Sequence, residues 1–170
     1  AQIAVCFVSE PASAFAGLYV STAAAQVMKV ILTAGAFIVV VMAQSWIERA
    51  DVMRKEGEFY ELIISTLLGM YMMISSGHFL MFFLGLEMAS VPMACLVAFD
   101  KFKQNSAEGA AKFILTATFS SGVMLYGISF IYGACGTLYF DDVADKISAT
   151  PLAIMGLVFF FSGLGFKISL

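Results

Sequence analysis

Glu87 is the residue whose chemistry most needs an explanation. Between Leu62 and Phe99 no other side chain carries a formal charge. If the segment 79–99 is a membrane helix, Glu87 lies roughly 12 Å from its start, near the middle of a ~30 Å hydrocarbon core. A carboxylate there costs at least ~2.5–3.5 kcal/mol to insert, so it normally faces protein or water. Helical spacing places Phe83, Glu87, Ser90 and Ala94 on one face, and Pro92 removes a backbone donor nearby. The plainer alternative is a protonated Glu87 that hydrogen-bonds a neighbouring helix.

Lys167 is its counterpart, about 24 Å past Pro151 along a straight helix. It follows Gly163-Leu164-Gly165-Phe166, a stretch that loosens a helix. The competing reading is a lysine that snorkels to the interface. Lys112 lies near the start of its own span and could do the same. His78, in a turn, titrates near neutrality and is a lesser candidate, since a turn-capping histidine explains it equally well. Lys29, at the start of an apolar run, reads as an interfacial anchor. A buried lysine loses its proton readily, and an approaching carboxylate restores it. A Glu–Lys distance that changes could therefore load and release a proton.

The charges also divide the chain. Val30 to Ile47 is uncharged and ends beside an interfacial Trp46; a charged cluster follows, from Glu48 to Glu61. One helix from Leu62 to Phe99 would be about 57 Å long, nearly twice the membrane core. Ser75-Ser76-Gly77-His78 supplies the turn that splits it. Pro151 suits the first turn of a further helix. The expected fold is an all-α polytopic transmembrane bundle of about five helices, over 27–47, 59–77, 79–99, 107–133 and 152–170. Residues 1–26 read as a loop, with the stub of a preceding helix at Ile3 to Val8, and 27–170 as the transmembrane domain. The chain has no initiator Met or signal pattern and stops soon after Lys167. It therefore reads as a fragment of a longer protein, cut in its last helix.

Composition agrees: 61% of residues are hydrophobic and 12% charged, against roughly 25% charged in soluble domains. The net charge of −3 and the lack of a basic run exclude a nucleic-acid surface. Three cysteines without a CxxC pair, and one histidine, exclude a zinc site. Cys6 and Cys135 fall on the same side, but nothing in their spacing requires a bond. Arg49, Arg54, Lys55, Lys101 and Lys103 share one side of the membrane, against Lys146 on the other. Loops 48–58 and 100–106 are thus expected to be cytoplasmic, or on the matrix side in an organelle.

Four segments, in order and suitably separated, carry a family resemblance. They are Glu58-Phe59-Tyr60, Gly77 to Glu87 (GHFLMFFLGLE), Ala111 to Thr116 (AKFILT) and Gly163 to Leu170 (GLGFKISL). Together they resemble the subunit N family of bacterial NADH-quinone oxidoreductase (respiratory complex I), in its Bacteroidetes form. The counterpart in the mitochondrial enzyme is subunit 2. That family is similar to Mrp-type cation/proton antiporter subunits. The resemblance implies that the five spans are the third to seventh helices of a longer antiporter-like subunit, the seventh being broken. It implies proton-translocating roles for Glu87, Lys112 and Lys167. It further implies other membrane-arm subunits of complex I and the lipid bilayer as partners, in a cell inner membrane. No cofactor is expected in this chain: NADH, FMN, iron–sulfur clusters and quinone would belong to other subunits, and no metal is expected. Two other functions remain open, an Mrp-type Na⁺/H⁺ antiporter subunit and a passive membrane scaffold.

Overall fold

The computed structural model describes residues 12–47, 56–100 and 103–168. A small antiparallel hairpin, β1 (Ala12–Ala14) and β2 (Tyr19–Ser21), comes first. Six helices follow: α1 (Ala23–Ile47), α2 (Glu56–Ile74), α3 (Phe79–Val97), α4 (Gln104–Cys135), α5 (Phe140–Lys146) and α6 (Pro151–Lys167). Five long helices thus stand where five were expected, each with at least one end shifted. The short α5 was not foreseen; it fills the connection that carries Asp141, Asp142 and Asp145. The expected stub at Ile3 to Val8, and Cys6, lie outside the described residues. Within the expected N-terminal loop, residues 12–21 form the hairpin instead, turning through Phe15, Ala16 and Gly17 with positive φ.

Among the described residues α1, α3 and α4 are long and apolar enough to cross a membrane. α6 is equally apolar in character but has 17 residues, about 25 Å of helix. α2 opens on an acidic turn holding Glu56 and Glu58. The outside of the bundle is greasy, as the composition requires: Phe37, Leu115 and Phe119 are each about 70% exposed. Met124, Ile128 and Ile131 of α4 form the deepest core, with Phe79, Leu86 and Phe160 around them.

Two close crossings set the geometry. α2 and α3 meet where Gly69 faces Ala89 and Gly85 faces Met73; a Cβ on Gly69 would lie 2.5 Å from the Ala89 backbone nitrogen. α4 and α6 meet at Gly127 and Gly156 in the same way. In a membrane, where apolar burial gives helices little reason to associate, small residues permit the contact that does.

The ends of α2, α3 and α4 are tied together on one side of the bundle. The turn at 75–78 forms as expected. Val20 N–H donates to the Ser75 carbonyl (2.7 Å), Gly77 N–H to Leu18 (2.9 Å) and Phe79 N–H to Leu138 (3.0 Å). On the opposite side Trp46, Phe59 and Phe99 cluster in tilted and edge-on contacts, with centroids 5.3–6.4 Å apart. Trp46 thus sits at the end of the bundle, at the close of α1. Pro92 does not interrupt α3, and α6 runs unbroken to Lys167, so neither expected distortion is visible.

Candidate functional site

α3 carries Glu87 to the centre of the bundle, and α6 delivers Lys167 to it. Lys167 Nζ lies 2.6 Å from Glu87 Oε1, and the two side chains are 11% and 29% exposed. The same ammonium reaches Ser90 Oγ at 3.4 Å. Ser90 is one helical turn from Glu87 on the face expected to point inward, and Ala94, further along that face, is 4% exposed. The helix spacing read from the sequence is therefore the observed one.

A second hydroxyl completes the site. Ser121 of α4 makes a short hydrogen bond to Glu87 Oε1 and is also within reach of the Ala117 carbonyl, at 2.7 Å. A hydroxyl has one proton to donate. It can serve an ionised Glu87, or it can turn to Ala117 and accept a proton from a neutral Glu87. The site can therefore hold either protonation state of the carboxyl without leaving it unpartnered. Beside it lies an open cleft of about 600 Å³, lined mostly by apolar side chains with Thr66, Ser90, Thr116, Ser120 and Lys167 among them.

The other candidates stand apart. Lys112 is exposed on α4 and pairs with Glu108 at 2.5 Å, one turn back on the same helix. His78 caps α3: its Nδ1 accepts from Leu80 N–H at 3.2 Å, and its ring meets Tyr139 edge-on at 4.8 Å. Burial holds the imidazole below its ordinary titration range. Cys135 is a free thiol. Lys29 is not an interfacial anchor: only 4% of it is exposed, and its Nζ donates to Tyr19 Oη at 2.6 Å. The hairpin folds over it, which the sequence does not announce. Ser121 was also missed; the one available signal was a Ser120-Ser121 pair inside an apolar helix.

The cap makes a pH prediction. The folded value of His78 lies below the unfolded one, so the unfolded chain binds the proton more readily. Stability is then fully present above about pH 6.5 and declines as pH falls below it. Protonation removes the acceptor at Nδ1, worth about 0.5–1 kcal/mol for a helix cap. His78→Asn, which keeps a capping oxygen, should flatten the acid limb of a denaturation series. An unchanged limb would mean that another group titrates there.

Together the fold and the site define a polytopic helical membrane protein with an ion pair inside its bundle. The sequence profile of the NADH:quinone oxidoreductase/Mrp antiporter transmembrane family matches residues 76–170, more than half of the chain. The chain belongs to that family. It is 61% identical over 161 residues to NADH-quinone oxidoreductase subunit N of Phocaeicola vulgatus, covering 95% of this chain and 34% of the relative. It is 49% identical to the subunit N of Azobacteroides pseudotrichonymphae, over 92% of this chain and 33% of that one. The chain thus spans about a third of the length of the curated relatives it matches. A chain in the structure of respiratory complex I from Thermus thermophilus with bound aureothin superposes with a TM-score of 0.74. The identity there is 26%, over 98% of this chain and 34% of the other.

Proposed function

We propose that this chain is part of a proton-translocating membrane-arm subunit of NADH-quinone oxidoreductase. In it, electron transfer elsewhere in the complex drives proton movement through Glu87 and Lys167. The observation that carries the reading is the 2.6 Å Lys167–Glu87 pair between α6 and α3, with Ser121 and Ser90 as its hydroxyl partners. Drawing Lys167 away from Glu87 leaves an ammonium in a dry site, which favours release of its proton; restoring the contact favours uptake. The Ser121 hydroxyl keeps the carboxyl hydrogen-bonded in both states, while Ser90 accepts from the ammonium. Lys112 is a route residue on the 100–106 side, its pair with Glu108 being exposed and open to exchange. His78 would act at the opposite end of the bundle.

Subunit N relatives at 61% and 49% identity support this over a sodium-exchanging antiporter subunit. On this reading the chain sits in the bacterial inner membrane with loops 48–58 and 100–106 in the cytoplasm, against other membrane-arm subunits. NADH, FMN, iron–sulfur clusters and quinone would be held by those other subunits.

The test is Glu87→Gln in the complete subunit within the assembled complex. Protons moved per electron should fall while NADH oxidation and assembly persist. An unchanged ratio, with the variant confirmed in the complex, would leave a passive scaffold as the better description.

A further inference from the structure

Lys29 is the most buried cation among the described residues, and it belongs to none of their three ion pairs. Among the described residues its hydrogen-bond acceptor is the Tyr19 hydroxyl, whose ring centroid lies 4.8 Å from the ammonium. One turn along α1, Thr33 Oγ1 donates to the Lys29 carbonyl at 2.6 Å and shares a short hydrogen bond with the Tyr71 hydroxyl of α2. The titratable groups that face Lys29 are thus Tyr19 from the hairpin and, through Thr33, Tyr71 from α2. No carboxylate among the described residues pairs with it. An ionisable side chain in a membrane helix, buried and without a counter-charge, is costly to keep unless it has a task.

We propose that Lys29 and Tyr19 form a second proton-exchange site, at the end of the bundle opposite the 48–55 connection. There the buried ammonium trades its proton with the outside through the half-buried phenol. The inference rests on the proton-translocating reading and extends it to residues outside the Glu87–Lys167 site. Tyr19 touches both worlds, because its hydroxyl meets a side chain that is 4% exposed while its ring stands on the hairpin that covers α1. Burial by itself would raise the phenol's titration range, yet the hydrogen bond from Lys29, a contact with the Ser75 hydroxyl and the Lys29 charge together outweigh it and leave Tyr19 below the ordinary tyrosine value. A phenol eased toward ionisation passes a proton on more readily.

The step conserves atoms and moves no electrons between groups. One N–H bond of the ammonium breaks as an O–H bond forms on Tyr19, whose original hydroxyl proton leaves to water. The remaining amine accepts a hydrogen bond from the phenol, and the reverse sequence reloads it.

Lys29→Arg separates a fixed charge from a working one. Arginine can donate to Tyr19 and keep the charge, but it does not deprotonate in proteins. In the complete subunit within its complex, Lys29→Arg should assemble normally and lose most of the proton flux. Tyr19→Phe, which preserves the ring, should slow flux at least several-fold and change its pH profile. Wild-type flux in an assembled Lys29→Arg complex would overturn the proposal, as would wild-type flux and pH profile in Tyr19→Phe. Glu87→Gln, measured alongside, distinguishes the two failures. If it loses pumping while Lys29→Arg keeps it, only the Lys29 site falls. If it also pumps normally, the proton-translocating reading falls as well.

Discussion

Lys167→Met should destabilise the chain more than the same change made together with Glu87→Gln. Taking away the lysine alone strands a carboxylate between α3 and α4, which must remain charged without a partner or take up a proton. Breaking a buried pair from one side costs about 3–5 kcal/mol, whereas replacing both partners by neutral groups is often close to harmless. Here the Glu87 side chain is 29% exposed, so water softens the penalty. A coupling of about 1–3 kcal/mol is expected from the double-mutant cycle. Ser121 lowers the cost further, since it can still donate to Glu87. The measurement is a denaturation midpoint in detergent for the wild type, both single variants and the double variant. Additive losses would mean that the two residues do not feel each other, and the distance of 2.6 Å would carry no functional weight.

Why was that pair legible in the sequence while other parts of the site were not? Glu87 and Lys167 each break a long apolar run, and a charge in such a run has few explanations. The turn at 75–78 was legible for an equally simple reason: one helix could not fit the membrane. Lys29 was misread because a lysine that opens an apolar segment looks the same whether it anchors at the interface or lies under a hairpin. Residues 12–21 show no alternating apolar pattern, so nothing announced the strands that cover it. Ser121 escaped because its role depends on which face of α4 meets α3. That choice is made by tertiary packing, beyond what hydrophobic periodicity records. Lys112 came from family resemblance, and the structure pairs it locally with Glu108, away from Glu87. The expected break near Lys167 came from resemblance and glycine content together, and α6 is continuous to that residue.

Packing therefore controls the chemistry, and Gly127→Ala should show it. A Cβ at Gly127 would run into the Phe160 backbone nitrogen and lie 2.7 Å from the Gly156 carbonyl oxygen and 3.0 Å from the Phe159 carbonyl carbon. All three are main-chain atoms, so no side chain can rotate away; α6 itself must move. Overpacking of this kind costs about 1–3 kcal/mol where the surroundings can adjust, and more where they cannot. The same substitution at Gly122 or Gly35 meets nothing within 4 Å. There the helix propensity of alanine, about 1 kcal/mol better than glycine, should leave stability unchanged or slightly raised. Lys167 ends the helix that Gly127→Ala displaces, so one added methyl group should also lengthen the contact to Glu87. The expected result is a variant that loses stability and, where it still assembles, loses proton flux in step, with Gly122→Ala matching the wild type in both. If Gly127→Ala kept full stability, the close α4–α6 crossing could not be what holds Lys167 against Glu87.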